Sequence, residues 1–347
     1  LGVRGDSLYC PLAFSLDPYW WCEPNCPHCY LRGMNAVWGE SERPLDLEEL
    51  DRKLANGPKN NSPKTPLAWC LKNKKTLRLG NKTDPFQPIE RKEGRSLACM
   101  DLLIKHNWSF VVQTRFTRIL RETGRHRIRQ AHKLGLITIM PIISPGLDRD
   151  WALLERKRTT PIKERMEDIR YWIDNGVPLG VNGEPFIPGF HTTKEFEETI
   201  RILKDIGVRS YNTYNFHFTP HVAKRLAREV PEIDIEKIWY YNQDGPWKSI
   251  LTQLLEIADQ VGMRMGCPDF VNSGKDRREP ANTCCGIDVP NPTTYNSHFF
   301  KKLTQEGLSP EEIIEQTWDG TGDFEDGKKI ITGKRGDFYT LKEAGLC

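Results

Sequence analysis

Short runs of β-type residues alternate with longer helical patterns along most of the 347-residue chain. The run ITIMPIIS at 137–144 is continuously apolar, as expected for a strand that is buried on both faces. The stretches 162–176 and 193–207 are typical of amphipathic helices. About six or seven β-then-α units of this kind favour a parallel barrel or partial barrel. The alternation therefore predicts an α/β fold.

The alternation stops near residue 265 and divides the chain into two parts. Residues 1–265 contain neither internal repeats nor a low-complexity linker, which predicts one main domain. Residues 266–347 are rich in Pro, Gly, Asn and charged residues with little periodicity, which predicts an irregular C-terminal extension. Within it, 327–341 is interpreted as a basic hairpin that is either a solvated surface feature or, with Phe338 and Tyr339, a nucleic-acid contact.

The composition is that of an ordinary globular protein with enough residues for a sizeable core, at 38% apolar and 28% charged. The formal net charge of +3 neither requires nor excludes a nucleic-acid partner. No run approaches the roughly 18 apolar residues that span a bilayer, so no membrane partner is expected. No signal peptide is visible at the start of the sequence, and a cytoplasmic location is expected.

Ten cysteines are many for a chain expected in a reducing compartment, where clustered thiols more often bind metals or act in catalysis. Three of them, Cys22, Cys26 and Cys29, have the spacing C-x3-C-x2-C. A structural zinc site closes its shell with four protein ligands, whereas a catalytic metal keeps one position open. Three ligands therefore predict a metal site with a vacancy. The isolated cysteines are interpreted as small buried apolar residues, namely Cys10, Cys70, Cys99 and Cys347.

Two kinds of metal site are compatible with the three thiols. Each thiolate can bind one iron of a four-iron cube and leave the fourth iron open to a bidentate ligand. Alternatively, Cys10 or His28 completes a four-ligand zinc site. The chain would then be a zinc-stabilised nucleic-acid-binding module and not an enzyme.

The spacing of the three cysteines, directly after the predicted strand at 11–16, resembles that of the radical S-adenosylmethionine (radical SAM) superfamily. The resemblance implies a 4Fe-4S cluster on the three thiolates, with the amino and carboxylate groups of SAM on the remaining iron. It implies cleavage of SAM to a 5′-deoxyadenosyl radical that abstracts hydrogen from a substrate, and an electron donor such as flavodoxin or ferredoxin. His28 takes the usually aromatic position before the third cysteine, and we expect it and Tyr30 to bind cofactor.

Further segments resemble the spore photoproduct lyase-like (SplB-type) branch of that superfamily. They are LRLGNKTDPFQPIE at 77–90, VVQTRFTRILRE at 111–122, ISPGLDRDWALLERKRTTPIKERM at 143–166 and GEPFIPGFHT at 183–192. Together they cover about residues 10–220 and imply a partial (β/α)6 TIM-like barrel with its active site at the carboxyl ends of the strands.

The resemblance also carries cofactor-binding roles onto six polar residues of this chain. They are Thr83, Asp84, Gln113, Ser144, Glu155 and Arg165. Ordinary loop and turn chemistry is the alternative explanation for these side chains. A helix-surface ion pair is the alternative for Arg165.

One departure from the branch concerns the end of the second predicted strand. The DNA-repair lyases of the branch use a cysteine there, whereas Gly80-Asn81-Lys82-Thr83 contains no thiol, and Cys70 lies upstream of the strand. The departure argues against plain thymine-dimer reversal and for a different reaction on a related substrate.

Three cysteines near the start of the extension are candidate catalytic residues. Cys267 ends a predicted strand, and Cys284 and Cys285 follow it. They are structural or incidental, or they bind an auxiliary iron–sulfur cluster with Cys347 as a fourth ligand. The third possibility is a redox or hydrogen-donor thiol in the active site.

The substrate prediction rests on an aromatic, hydrogen-bonding stretch and on a basic helix. The stretch 210–218 contains Tyr211, the catalytic candidate Tyr214, Asn215, His217 and Phe218, which either stack on a base or form the core and rim of the barrel. The basic residues at 121–133 either meet phosphate or form a solvated helix face.

With the resemblance, these features predict a nucleic acid or nucleotide substrate, and a thymine or modified thymine in a lyase or isomerase reaction. The alternative is a radical SAM enzyme that acts on a peptide or a small metabolite.

Overall fold

The computed structural model describes residues 1–3, 12, 14–31, 45–63, 66–214, 216, 218–266 and 289–291. It is a mixed α/β structure. The first sheet has the order β1-β2-β3-β4-β5. Its strands are β1 (Gly2–Val3), β2 (Phe14–Leu16), β3 (Leu77–Leu79), β4 (Phe110–Thr114) and β5 (Ile137–Pro141). Strand β1 pairs antiparallel with β2, and the other four strands are parallel.

A second sheet lies next to the first along the chain order of the strands. It consists of the parallel strands β6 (Val181–Asn182), β7 (Ser210–Asn212) and β8 (Arg264–Gly266). Parallel bridges join Ile139 to Leu179 and Ile142 to Asn182, so β6 lies beside β5. Neighbouring strands from β2 to β8 are therefore consecutive in the chain, as in the wall of a β/α barrel. Closure into a TIM-like barrel stays a prediction.

Helices connect the strands within the described residues. They are α1 (Leu47–Asn56), α2 (Pro66–Lys72), α3 (Glu90–Glu93), α4 (Arg95–Lys105), α5 (Thr117–Lys133), α6 (Leu147–Leu153), α7 (Ile162–Asp174), α8 (Thr193–Asp205), α9 (Pro220–Glu229), α10 (Ile235–Tyr241) and α11 (Asp244–Val261). Long helices between parallel strands are the crossovers that such strands require.

Local sequence signals explain where several helices begin. Asp46 accepts a hydrogen bond from the Glu49 N–H and caps α1. Thr192 and Glu195 form a reciprocal capping box at the start of α8. The helices predicted at 162–176 and 193–207 are confirmed as α7 and α8. The aromatic stretch at 210–218 begins with β7, which ends at Asn212.

The strands bury one face against the helices and turn a more polar face inward. On the first sheet, Phe14, Leu79 and Val112 pack against apolar residues of α1, α4 and α5. The opposite face, called the inner face below, alternates with it and carries these residues: Ser15, Arg78, Val111, Gln113, Thr138 and Met140. A strand face sealed in a core is normally apolar, so three polar side chains and one charge there are unusual.

The segment 289–291 covers the amino ends of the first-sheet strands. The Thr76 N–H donates to the Asn291 carbonyl at 3.0 Å, just before β3 begins. Val289 packs with Leu12, Val111 and Met140 on the inner face. The predicted hairpin at 327–341 and most of the predicted extension lie outside the described residues.

Among the residues that the structure describes, no helix is both long and apolar enough to cross a lipid bilayer.

Candidate active site

The loop that carries Cys22, Cys26 and Cys29, called the cysteine loop below, follows β2 and lies at the carboxyl edge of the first sheet. Cys26 is buried, and Cys22 and Cys29 are half-buried. The Cys29 N–H donates to the Cys26 carbonyl at 3.1 Å, which turns the loop between these two thiols. The loop therefore stands at the strand edge where parallel α/β proteins place their active sites.

The loop after β3 holds the cysteine loop through a buried glutamine. Gln87 Oε1 accepts the Glu23 N–H at 2.6 Å, and Gln87 Nε2 donates to the Trp21 carbonyl at 2.8 Å. The Thr83 hydroxyl donates to the Tyr19 carbonyl at 2.8 Å. These bonds fix the backbone on both sides of Cys22. Thr83, predicted to bind cofactor, has its hydroxyl bonded to the cysteine loop.

Two further contacts hold the ends of this loop. Asp17 Oδ1 accepts the backbone N–H groups of Asn81, Lys82 and Thr83 at 2.8, 2.6 and 3.1 Å. From α9, Arg225 Nη2 donates to the Asn25 carbonyl at 3.1 Å. The loop is thus bonded to elements far apart in the sequence.

Asp84 ties the end of β3 to the end of β4. Its carboxylate accepts the Thr114 hydroxyl at 2.6 Å, the Arg115 N–H at 2.7 Å and the Phe86 N–H at 3.0 Å. Burial raises the pKa of Asp84, while these hydrogen bonds oppose the rise. Asp84 therefore acts here as a buried connector between strand ends.

Arg115 places a positive charge beside the cysteines. Its Nε donates to Glu155 Oε1 at 3.2 Å and its Nη2 donates to the Glu184 carbonyl at 3.0 Å. Its Nη1 makes no hydrogen bond to any residue of the described ranges. Burial raises the pKa of the Cys26 thiol to about 12, and the Arg115 charge opposes that rise.

Glu155 and Arg165 form a buried ion pair. Arg165 Nη1 donates to Glu155 Oε1 at 3.1 Å, Arg165 Nη2 bonds the other carboxylate oxygen, and Thr159 also donates to Glu155. Burial alone would raise the pKa of Glu155, but Arg165 and Arg115 lower it to about 2. Arg165 is 0% exposed, so the surface ion pair considered from the sequence is wrong. Glu155 positions Arg115, and Arg165 holds Glu155.

His28 is neutral and buried between two of the cysteines. Burial, followed by the charge of Arg115, lowers the pKa of the imidazole to about 3. Its Nδ1 is buried without a hydrogen-bond partner in the described part of the chain. A neutral ring with an open nitrogen can accept from, or donate to, a bound ligand. Tyr30 packs at the edge of an apolar cluster that includes Leu154 and Ile187.

The remaining predicted residues lie at or near the same edge. Gln113, on the inner face of β4, accepts a hydrogen bond from Arg78 Nη1 at 3.4 Å. Ser144 follows β5 and is buried. Tyr214 follows β7 and is half-buried. Cofactor roles for Gln113 and Ser144, and a catalytic role for Tyr214, stay predictions.

Other predicted residues fall outside the described ranges. They are Cys10, Asn215, His217, Cys267, Cys284, Cys285 and Cys347. The auxiliary cluster and the hydrogen-donor thiol therefore stay predictions. Cys70 and Cys99 are buried, which confirms their interpretation as core residues.

The donor set of the loop fits an iron–sulfur cluster. Thiolates are the ligands that such clusters use, and Arg115 offers a counter-charge to them. Among the described residues, no group of three or more His, Cys, Asp or Glu side chains is arranged to hold a single metal ion. A four-iron cube places each thiolate on a different iron and does not need them to converge on one atom.

Part of the basic helix α5 is engaged in ion pairs. Arg121 Nη1 lies 2.9 Å from Asp168 Oδ1, and Arg127 Nη2 lies 2.7 Å from Asp101 Oδ2. The Arg121 guanidinium also stacks 4.1 Å from the centre of the Tyr171 ring. These contacts favour the hypothesis of a solvated, ion-paired helix face over a phosphate-binding face.

Sequence reasoning missed residues that shape this site: Asp17, Glu23, Gln87 and Arg115. Arg115 directly follows β4, and a charged residue at a strand end was the available signal for it. Gln87 lies inside the quoted segment 77–90, but nothing in its type showed that it bonds the cysteine loop.

Comparisons with known proteins give distant structural neighbours. No protein-family model and no curated protein sequence matches the chain. The structure is similar to SuiB from Streptococcus suis bound to S-adenosylmethionine, with a TM-score of 0.47 and 10% identity over 73% of this chain and 50% of SuiB. SuiB bound to the precursor peptide SuiA gives a TM-score of 0.42 and 13% identity over 66% of this chain and 47% of that chain.

The HMG-CoA lyase from Brucella melitensis gives a TM-score of 0.34 and 13% identity over 85% of this chain and 93% of that chain. The chain spans about half the length of SuiB. Similarities this low carry no argument about function.

Proposed function

We propose that the chain is a radical SAM enzyme. The observation that carries the proposal is the C-x3-C-x2-C loop, which follows the first parallel strand and lies beside Arg115 at the carboxyl edge of the sheet. In this proposal Cys22, Cys26 and Cys29 hold a 4Fe-4S cluster. When bound and reduced, the cluster supplies the electron that cleaves SAM to the 5′-deoxyadenosyl radical.

The chain's own residues would hold and orient these groups. Gln87 and Asp17 fix the cysteine loop before any ligand arrives. Arg115, held by Glu155, has Nη1 left to bind the carboxylate of SAM. His28 offers a neutral nitrogen close to Arg115. Such preorganised groups lower the cost of binding and orienting a cofactor.

We propose a hydrogen-bonding substrate, with a thymine or modified thymine in DNA or a nucleotide as the leading candidate. Asn212 Oδ1 and Thr213 Oγ1, after which Tyr214 follows, are buried without hydrogen-bond partners in the described residues. Such unmet polar groups are costly and suit a ligand that supplies the missing partners. The overall reaction would be a lyase or isomerase reaction.

The end of β3 supports a reaction other than thiol-assisted dimer reversal. Gly80 has a φ of +86°, and a Cβ there would lie 2.7 Å from the Gln113 carbonyl oxygen and 2.4 Å from Pro85 Cδ. That position excludes a cysteine side chain. The hydrogen donor, where one is needed, must come from elsewhere, and Cys267, Cys284 and Cys285 stay candidates.

The test is anaerobic reconstitution with iron and sulfide, followed by an assay for 5′-deoxyadenosine with reductant and SAM. Wild type is compared with Cys26→Ala and with a matched control, Cys99→Ala, which removes a buried thiol from α4. We expect a brown protein that forms 5′-deoxyadenosine in wild type and Cys99→Ala, and neither property in Cys26→Ala.

A colourless protein with tightly bound zinc and no SAM affinity would contradict the proposal and favour the zinc module. About four irons per chain would indicate one cluster and about eight would add the auxiliary cluster. Added thymine-containing DNA, nucleotides or peptides that raise 5′-deoxyadenosine formation would then distinguish the substrate classes.

A further inference from the structure

Arg78 is a buried cation with no counter-ion among the described residues. Its side chain lies on the inner face of β3, and the residue is 8% exposed. The one hydrogen bond that its side chain makes in the described structure is long and runs from Nη1 to the neutral amide oxygen of Gln113 at 3.4 Å. Its Nε is buried without a partner among the described residues.

The contrast with Arg165 shows how unusual this is. Arg165 is buried as well, at 0% exposed, but it bonds the Glu155 carboxylate and the carbonyls of Thr160 and Ile142 at 2.7 and 2.8 Å. A buried charge without such compensation costs several kcal/mol. Nothing in the described structure repays that cost at Arg78, so a bound anion is the natural partner.

The strand register shows where the guanidinium points. The Arg78 Cα pairs with Val111 on β4, yet its Nη1 reaches Gln113, two residues further along that strand. The side chain therefore leans toward the carboxyl edge, where the cysteine loop lies. On the same inner face, Val289 packs with Val111 and Met140.

The open donors of Arg78 have the geometry of an anion clamp. Because Nη1 bonds Gln113, the Nε–H and Nη2–H edge has no partner in the described residues. That edge matches the two oxygens of a carboxylate or phosphate with two parallel hydrogen bonds.

We propose that Arg78 is an anion-binding subsite for a terminal carboxylate or phosphate group of the substrate. The inference depends on the proposed function only for the statement that the bound anion is a substrate. Because the guanidinium lies among the strands, a compact terminal group reaches it more easily than a duplex backbone does. The substrate is then a small anionic molecule, such as a mononucleotide or an acidic metabolite.

The test measures thermal unfolding of the full chain, with and without iron and sulfide reconstitution. Sodium phosphate or sodium acetate is titrated at constant ionic strength with sodium chloride. Wild type is compared with Arg78→Met, Arg78→Lys and the matched control Arg201→Met, which removes an exposed arginine paired with Glu197.

We expect a saturable rise of the unfolding temperature in wild type and Arg201→Met. Arg78→Met should lose this rise, and its unfolding temperature in chloride alone should equal or exceed that of wild type. Arg78→Lys keeps the positive charge but loses the two parallel N–H donors, and it should bind the anion about tenfold more weakly than wild type does. Stabilisation by phosphate alone would identify a phosphate group as the ligand, and stabilisation by acetate would identify a carboxylate.

The inference is overturned if neither anion stabilises wild type, or if Arg78→Met keeps the response. An Arg78→Met protein that fails to fold would show a structural role and would overturn it as well. Because the anion response is read without SAM or 5′-deoxyadenosine, a failure of the radical SAM proposal is a separate result.

Discussion

Two buried carboxylates at the carboxyl end of the first sheet and two buried polar groups at the carboxyl end of the second sheet differ in their hydrogen bonding. At the first sheet, Asp84 and Glu155 are each bonded by several donors from other elements. At the second sheet, Asn212 Oδ1 and Thr213 Oγ1 are buried without partners among the described residues. The two carboxylates at the first sheet are therefore fully bonded, whereas the two groups at the second sheet are left open within the described residues.

The difference teaches which part of the site is built in advance. A fully bonded network is rigid and holds Arg115 and the cysteine loop in one arrangement. Buried groups without partners cost about 1–3 kcal/mol each, and a ligand that bonds them recovers part of this cost. We infer that the bonded carboxylates of the first sheet hold the cofactor side, and that the open groups of the second sheet, together with Arg78 on the first, await substrate.

The largest expected effect comes from breaking the Glu155 ion pairs. Glu155→Gln leaves Arg165 and Arg115 without their buried anion, and we expect a loss of about 3–5 kcal/mol in the free energy of unfolding. Urea denaturation at neutral pH measures it. Glu197→Gln, which removes an exposed partner of Arg201, is the control and should change stability by less than about 1 kcal/mol.

The pH dependence of the same pair gives a second prediction. Glu155 has a folded-state pKa of about 2, against an ordinary value of 4.5. Its contribution to the free energy of unfolding is therefore fully present above about pH 4.5. The contribution is lost as the pH falls through the folded-state value, and it amounts to about 3 kcal/mol at 1.36 kcal/mol per pKa unit. The stability difference between wild type and Glu155→Gln should therefore shrink between pH 4.5 and 2. A difference that stays constant over this range would contradict the ion-pair explanation.

The glutamine that holds the cysteine loop gives the next effect. Gln87→Ala leaves the Glu23 N–H and the Trp21 carbonyl without their partner, and we expect a loss of about 2–3 kcal/mol of unfolding free energy. We also expect less iron per chain after reconstitution, because the thiols are no longer held in place. Gln130→Ala, at an exposed position of α5, is the matched control. Unchanged iron uptake in Gln87→Ala would show that the loop does not need this support.

The sequence predicted the elements well and their connections poorly. An apolar run and amphipathic periodicity located β5, α7 and α8, because burial leaves local patterns. The segment 77–90 was noticed through resemblance, but its physical role, with Gln87 bonding residues 21 and 23, depends on contacts across more than 60 positions. Arg115 was missed for the same reason, since its type and spacing do not show which strand ends meet.

Arg165 shows a different limit. Its position on a helix with alternating charges was compatible with a surface ion pair, and only the packing of α7 against the sheet showed it to be buried with Glu155. The metal-ligand spacing of Cys22, Cys26 and Cys29 was readable because three ligands on one short loop are a local pattern.

A matched pair of threonines tests the contrast between the two sheets directly. Thr114 and Thr213 are both 0% exposed, but among the described residues only the Thr114 hydroxyl has hydrogen-bond partners: it donates to Asp84 and accepts the Phe116 N–H at 2.8 Å. Thr114→Val should lose about 1–2 kcal/mol of stability, whereas Thr213→Val should be neutral or gain up to about 1 kcal/mol. Urea denaturation of both variants measures the difference. Equal losses would mean that Thr213 has a partner after all.

The smallest effect is expected on the solvent face of α5, where Arg127 of the basic stretch forms an ion pair. Arg127→Gln breaks the contact with Asp101, in which the Asp101 side chain is 52% exposed. An exposed pair of this kind contributes about 0–1 kcal/mol, since water and salt screen it. In urea denaturation we expect the free energy of unfolding to change by an amount near the lower end of this range. We expect no change in the salt dependence of nucleic-acid binding. A marked drop in the salt dependence of DNA binding would instead make this helix face a phosphate contact, and would move part of the substrate surface away from the strand ends.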